Sequence, residues 1–256
     1  MFSVLQLAVL IPIGVLVGLL IGMMGVGGVL LVPSLAYLGG VPVHTAIVAC
    51  MASYTISGIA GAMAYARRGS IRWDMALWVC GGAVPGAYLG AILAAALPAE
   101  ALELIIAALI VFAGIDVLRD KESRSADPVQ LSTVRLLAVG AITGIGSAMS
   151  GTGGPLLLVP LLLWMNVPIL TAIGLSQVIQ VPIALMATAG NVYHSEVNFV
   201  LAAGIAALMI TGVIVGARVA HRLPTAVLKR TISLVLIVVG AAIVVRLGFA
   251  ALNPPP

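Results

Sequence analysis

The sequence predicts an all-α polytopic membrane protein, and three observations point to this class. Of its 256 residues, 62% are hydrophobic and only 8% are charged, whereas soluble domains have about 45–50% apolar and about 25% charged residues. The mean hydropathy is +1.25. Apolar segments long enough to cross a bilayer recur along the chain. A soluble enzyme or binding domain could not bury this much apolar surface, and the 12 lysines and arginines are too dispersed to bind nucleic acid.

The apolar segments form two halves on either side of a polar linker at 119–133. Each half is predicted to contain a glycine-tipped re-entrant helical hairpin and three transmembrane helices. The first half, 1–118, has hairpin 12–40 and spans 43–66, 73–97 and 101–118. The second half, 134–247, has hairpin 134–166 and spans 168–190, 198–217 and 228–247.

The hairpins are inferred from two apolar segments, 29–40 and 155–166, that each follow a glycine cluster. A helix of this length measures about 18 Å, which is too short for a hydrocarbon core of about 30 Å. We therefore expect each segment to enter and leave the membrane on one side. The alternative is five crossings in each half, with very short tilted helices at each glycine cluster.

The two halves are related by an internal repeat with an offset of 126 residues. Val41-Pro42 falls on Val167-Pro168. The glycines at 14, 18, 25, 27, 28, 86 and 90 fall on Gly140, Gly144, Gly151, Gly153, Gly154, Gly212 and Gly216. We infer that the chain is a duplication.

The basic residues predict that the repeats are inverted. Eleven of the twelve lie in 67–72, 119–135 and 218–230, whereas the equivalent loops of the opposite halves, 97–100 and 191–197, contain none. Because Lys and Arg accumulate in cytoplasmic loops, equivalent loops face opposite sides of the membrane. Both termini are then predicted to lie outside.

Both glycine clusters resemble the sulfite exporter TauE/SafE family. The residues that carry the likeness are GMMGVGGVLLVPSLAYLGGVP at 22–42, AMSGTGGPLLLVPLLLWMNVP at 148–168 and the loop RRGSIRW at 67–73. The resemblance implies a multi-pass transporter of the prokaryotic plasma membrane that exports sulfite, a sulfonate or a related organic anion. The expected partners are a small anion and the lipid bilayer.

The glycine clusters are the first candidate for the binding site. Broken helices are tolerated in lipid only where protein or a water-filled cavity satisfies the backbone, and half-helix N-termini can bind an anion there. Hydroxyl groups at the second cluster could add donors. The candidates are Gly25, Gly27, Gly28, Ser150, Gly151, Thr152, Gly153 and Gly154. The alternative is that these glycines serve only tight helix crossing.

Mid-span polar side chains are the second candidate. Tyr54 and Gln180 are equivalent under the repeat, and Gln177 lies one turn before Gln180. Because glutamine is costly in lipid, these side chains should face the bundle interior. We predict that they donate hydrogen bonds to the substrate, with interhelical hydrogen bonding as the alternative.

Two sulfur side chains leave a second function open. Cys50 and Met51, with methionines near the glycine clusters, could contact a reactive sulfur compound or form a carrier for a soft metal such as Cu(I). Their alternative role is to fill gaps in the core. No resident metal or cofactor is expected.

The carboxylates and histidines do not predict catalysis. No nucleophile with a base and no metal triad lies in mid-span, so we do not expect an enzyme. Nor does an Asp or Glu lie in mid-span to relay a proton or sodium ion. We therefore expect transport by alternating access, driven by the membrane potential. The spacing of Gly82, Gly86, Gly90, Gly212 and Gly216 predicts close helix crossing, with a homodimer contact as the alternative.

Overall fold

The computed structural model describes residues 4–25, 28–96, 115, 131–151, 155–192 and 199–252, and this part of the chain is helical without strands. The predicted all-α class is therefore confirmed for these residues. The helices are α1 (Val4–Met24), α2 (Gly28–Pro33, continued by a π-helix at Ser34–Leu38), α3 (Val43–Ala66), α4 (Trp73–Ala96), α5 (Thr133–Ser150), α6 (Pro155–Trp164), α7 (Ile169–Val192), α8 (Phe199–Ala220) and α9 (Thr225–Leu252).

Four of the described helices are long and apolar enough to cross a membrane. The qualifying segments are Val48–Ala66, Trp73–Leu93, Ile169–Ala189 and Ala202–Ala220, which lie within α3, α4, α7 and α8. They correspond to four of the six predicted spans. The predicted span 228–247 lies within α9, and α1 begins at Val4, before the predicted start of the first hairpin. The predicted span 101–118 and linker residues 119–130 lie outside the described residues, except for residue 115.

Prolines mark where several helices begin. The carbonyls of Pro42, Pro168 and Pro224 accept the first backbone hydrogen bonds of α3, α7 and α9, at 2.9, 2.9 and 3.1 Å. A proline at this position costs nothing, because the amide hydrogen it lacks would have no partner inside the helix. These prolines therefore mark the positions at which one apolar helix has ended and the next one begins.

Backbone conformations outside the right-handed region recur with the offset of the sequence repeat. Gly25 (φ 73°) follows α1 and Gly151 (φ 66°) caps α5, 126 residues later. Gly40 (φ 65°) and Asn166 (φ 59°) are a second equivalent pair, each just before a Val-Pro step. Glycine adopts this region without the penalty imposed by a Cβ atom, and asparagine tolerates it. The two halves thus repeat their turns as well as their residues.

Each half packs its first helix against the other half. The most extensive helix contacts are α4 with α5 and α1 with α8, and α3 packs against α7 between them. Further contacts join α3 to α8 and α4 to α7. The short segments α2 and α6, which follow the two glycine clusters, also touch each other. The core of the described bundle is therefore built jointly by the two halves.

Glycines bring the α1–α8 and α4–α5 pairs into backbone contact. A Cβ atom at Gly18 or Gly22 would collide with backbone atoms of α8, and one at Gly82 or Gly86 with backbone atoms of α5. The same holds for Gly90, Gly140, Gly144, Gly212 and Gly216. Close crossing of helices, predicted from the glycine spacing, is confirmed. These glycines face helices of their own chain, so they are not the homodimer contact left open above.

Candidate functional site

The centre of the bundle is a polar contact between α3 and α7. The Gln180 side-chain amide donates to the Tyr54 carbonyl at 3.0 Å and to Ser57 Oγ at 3.2 Å. All three residues are fully buried. Tyr54 and Gln180 are also the pair that the sequence repeat makes equivalent, since they are 126 positions apart. The equivalent helices of the two halves therefore meet at equivalent residues.

Side chains of α3 and α7 hold the first glycine turn from both sides. The Tyr54 hydroxyl donates to the carbonyl of Gly28 at 2.9 Å, at the start of α2. Gln177 Nε2 donates to the carbonyl of Ile21 at 3.0 Å, near the end of α1. At the end of α3, the hydroxyl of Tyr65, the second-to-last residue of the helix, donates to the carbonyl of Gly22 at 2.8 Å. The break between α1 and α2 is thus tied to the central contact.

Two glycines of α3 make room for the glutamines. Gly58 lies against the aliphatic part of Gln180, and a Cβ atom at Gly61 would collide with the Gln177 side-chain carbonyl. Tyr54, Gly58, Gly61 and Tyr65 follow each other at intervals of four, three and four residues, which places them on one face of α3. This spacing of two glycines between two tyrosines is visible in the sequence, where only Tyr54 was predicted to belong to the site.

In both glutamine amides the nitrogen and the oxygen differ in their hydrogen bonding. Their nitrogens donate to protein acceptors, whereas Gln177 Oε1 and Gln180 Oε1 are buried without a hydrogen-bond partner among the described residues. The interhelical bonds that the sequence left as the alternative are thus present. Buried carbonyl oxygens without partners are rare in proteins. Substrate contact by these amides remains a prediction, and in this arrangement it would require Gln180 to release its present acceptors.

The other predicted site residues lie in different surroundings. Gly25 and Gly28 are buried at the turn that Tyr54 and Gln177 hold, and Gly151 is buried at the end of α5. Hydrogen bonds link the central contact to the first glycine cluster, through the carbonyls of Gly28 and Ile21. Ser150 is the last residue of α5. Gly27, Thr152, Gly153 and Gly154 lie outside the described residues.

Cys50 and Met51 are fully buried in α3. Cys50 lies one turn before Tyr54, and its thiol is near enough to interact with the tyrosine hydroxyl. In the described part of the chain, no three His, Cys, Asp or Glu side chains come together as a metal site would require. The packing role of these two residues accounts for their burial, and no observation favours the soft-metal alternative.

Spanning-length helices around a buried polar centre define the class of this protein as a polytopic helical membrane protein. The chain belongs to the sulfite exporter TauE/SafE family, since the family's model matches residues 10–243. The resemblance carried by the two glycine clusters is thereby confirmed. Membership makes the chain a membrane transporter.

Bacterial relatives support the same assignment. A probable membrane transporter protein, YdhB of Bacillus subtilis (strain 168), is 28% identical over 226 residues, which cover 86% of this chain and 92% of the relative. A probable membrane transporter protein of Xylella fastidiosa (strain Temecula1) is 28% identical over 253 residues, which cover 95% of this chain and 97% of the relative. The similarity therefore extends over nearly the whole of each chain.

Proposed function

We propose that this protein exports a small sulfur-containing anion, such as sulfite or a sulfonate, across the plasma membrane by alternating access. The observation that carries the proposal is the set of buried hydrogen bonds made by Tyr54, Gln177 and Gln180, which join α3 to α7 and both helices to the first glycine turn. Polar groups buried in the middle of spanning helices are expensive, and in transporters they mark the substrate path. The family description supports export of a sulfur oxyanion.

An inverted repeat with both termini outside is part of this proposal. Three observations support it: the pairing of α1 with α8 and of α5 with α4, the positive φ angles that recur 126 residues apart, and the one-sided distribution of basic residues. Direct contact between Tyr54 and Gln180 supports a pseudo-two-fold axis that passes between α3 and α7. Binding at such an axis would give the substrate similar access from either side.

The proposed binding chemistry is that of a neutral anion site. Each glycine cluster precedes a short helix whose first amide groups lack partners within that helix, and amides in this position stabilise negative charge. Tyr54, Gln177 and Gln180 supply further donors without introducing a buried positive charge. A weakly held oxyanion can leave such a site, which is a requirement for export.

Release and capture would occur by exchange of hydrogen bonds. In the closed arrangement Gln180 donates to the carbonyl of Tyr54 and to Ser57. We infer that movement of α7 relative to α3 frees these donors for the anion. The α1–α8 and α4–α5 pairs move as units, because their backbones are in contact at glycines.

The test is ligand-dependent thermal stability of the purified protein, followed by efflux from proteoliposomes. Sulfite, thiosulfate, sulfoacetate, sulfate, acetate and Cu(I) form the panel. A ligand at about 100 times its Kd stabilises a protein by about 2.7 kcal/mol, which raises the Tm by several degrees. We expect a sulfur anion to give this increase in the unmodified protein and not in Gln180→Ala.

Two tyrosines provide a matched control. Tyr54→Phe and Tyr65→Phe each remove one buried hydroxyl that donates to a carbonyl near the first glycine turn, at 2.9 and 2.8 Å. Similar losses of stability are expected, but only Tyr54→Phe should weaken anion binding. Equal ligand-dependent shifts in both variants would count against the site, and a shift with Cu(I) alone that Cys50→Ser removes would replace the anion by a soft metal.

A further inference from the structure

A groove lies between α3, α4 and α7, away from the central polar contact. Its volume is about 510 Å³, and its lining is apolar, including Ile59, Met63, Ala66, Trp73, Cys80 and Pro182. The groove is open on its outer side, where the exposed fractions of Ile59, Met63 and Trp73 are 45%, 51% and 60%. Among the described residues nothing covers this surface, so in a protein with spanning helices it is open to the lipid. The groove therefore offers space to an apolar chain from the bilayer.

Local sequence explains why this groove is not filled by side chains. Ile59, Ala62, Met63 and Ala66 form one face of α3, and two of these four are alanines. On the opposite wall, Pro182 lies inside α7, where it lacks the amide hydrogen of the usual backbone bond and has a short side chain. Small side chains on both walls leave the space between them.

Positive charge lies at one end of the groove. Arg67 directly follows the lining residue Ala66, and Arg72 directly precedes the lining residue Trp73. Arg67 is exposed. Arg72 forms an ion pair with Asp74 at 2.6 Å, which offsets part of its charge. The end of the groove still carries a positive surplus, with Arg67 as the more available cation.

We propose that the groove binds an acyl chain of an anionic phospholipid, whose phosphate contacts Arg67 and Arg72. An apolar groove that ends at two arginines matches a molecule with an apolar chain and an anionic head. A free anion would not need the groove. A second copy docked face to face across it would bring like charges together. Trp73 beside the arginines suits the interfacial level at which lipid headgroups lie.

This lipid contact does not depend on the identity of the transported anion. The groove is formed by α3 and α7, the two helices that carry Tyr54 and Gln180 on their inner faces. A bound acyl chain would support both helices from the lipid side. Lipid composition would then affect the stability of the α3–α7 contact.

The first test is native mass spectrometry of the delipidated protein with phosphatidylglycerol and phosphatidylcholine. We expect the unmodified protein to retain phosphatidylglycerol preferentially. Arg67→Gln should reduce that retention about fivefold, and adding Arg72→Gln should reduce it further, since a basic residue near an anionic lipid surface contributes roughly this factor. Arg230→Gln, an exposed arginine of α9, is the matched control and should change nothing. Unchanged retention in the double variant would overturn the proposal.

Filling the groove tests the acyl chain separately. Ala62→Trp should lower retention of phosphatidylglycerol, whereas Ala241→Trp, at an exposed alanine of α9, should not. Retention that depends on Arg67 but is unaffected by Ala62→Trp would overturn the role of the groove.

Tryptophan fluorescence in bilayers gives a readout in which Trp73, a lining residue of the groove, is itself the reporter. In a Trp78→Phe, Trp164→Phe variant, Trp73 is the remaining reporter; in a Trp73→Phe, Trp164→Phe variant it is Trp78, which is also exposed. Dibrominated phosphatidylglycerol should quench Trp73 more than dibrominated phosphatidylcholine at equal mole fraction, and Arg67→Gln should remove the difference. Trp78 should show no preference. Equal quenching of Trp73 by both lipids would overturn the assignment. It would also be overturned if Trp73 became less accessible to the brominated lipids as the protein concentration rises, since this would indicate that a second copy of the protein covers the groove.

Discussion

Gln177 and Gln180 connect neighbouring helices through their side-chain amides. Each amide nitrogen bonds a backbone carbonyl on another helix, and each amide oxygen is buried without a partner in the described structure. Interhelical hydrogen bonds in membrane proteins contribute only about 0.6 kcal/mol on average. Replacing such bonds would therefore cost little, which is compatible with the proposed role of these residues as movable donors.

Gly61 is the residue at which this arrangement can be tested most directly. Gly61→Ala places a methyl group against the Gln177 amide, and overpacking of this kind costs typically about 1–3 kcal/mol. We expect a lower Tm in Gly61→Ala and recovery in the double variant Gly61→Ala, Gln177→Ala, measured as a double-mutant cycle.

Gly81→Ala is the matched control for Gly61→Ala, because a Cβ atom there meets only the Leu137 side chain at an ordinary 3.5 Å. Its Tm should be unchanged or slightly raised, since alanine is the better helix former. Additive effects of the Gly61 and Gln177 substitutions would show that the two residues are not in contact.

The helix pairs α1–α8 and α4–α5 are stabilised by close packing of their backbones. Without a hydrophobic driving force between helices in lipid, close approach of backbones provides the packing energy, and glycine allows it. Both pairs use glycines that are equivalent under the repeat, Gly18 and Gly144 on one side and Gly86 and Gly212 on the other. Each half of the protein therefore packs against the other through equivalent glycines at a helix crossing.

Substitution at a crossing should separate these helices. A side chain at Gly86 would collide with the backbone of Ala141, and the backbone cannot yield without moving the helix. We expect Gly86→Val to lower the Tm by several degrees, at about 2–4 °C for each kcal/mol lost. Gly204→Val, in α8 where a Cβ atom meets no atom within 4 Å, is the control. Equal losses would mean that helix propensity, rather than the crossing, accounts for the effect.

At the scale of the whole molecule, charge distribution bears on how transport is driven. The carboxylates of the sequence lie in loops or near span ends, and the basic residues gather in three regions. An anion that leaves a negative-inside cell gains about 2.3 kcal/mol for each charge per 100 mV. Outward movement of an anion therefore needs no coupling ion.

Proteoliposomes test this energy source. With a potassium diffusion potential of 100 mV and no pH gradient, a monovalent anion should distribute about 50-fold toward the positive side. Protein-free vesicles are the control for leak. Transport that follows a pH gradient at zero potential, with no response to the diffusion potential, is the contrary result and would indicate proton coupling.

Helix existence was predictable from sequence because lipid enforces a simple rule: apolar segments must satisfy their own backbone bonds as helices. Thus α3 begins and ends where predicted, at residues 43 and 66. The glycine turns were predictable as well, because a positive φ at Gly25 and Gly151 strongly favours glycine. Tyr65 was missed, since an aromatic residue near a span end also suits the membrane interface, and sequence offers no sign of its partner.

Composition, periodic apolar segments and the 126-residue repeat were sufficient to predict a helical membrane protein, because hydrophobicity and helix breaks can be read from the sequence itself. The motifs at the two glycine clusters carried the resemblance to the family, which the family model then showed. Only the tertiary structure decided which helices and side chains contact each other. Gly86 meets α5 rather than a second subunit, and the Gln180 amide bonds Tyr54. Such choices depend on distances between residues more than a hundred positions apart, and those distances are set by packing of all the helices together.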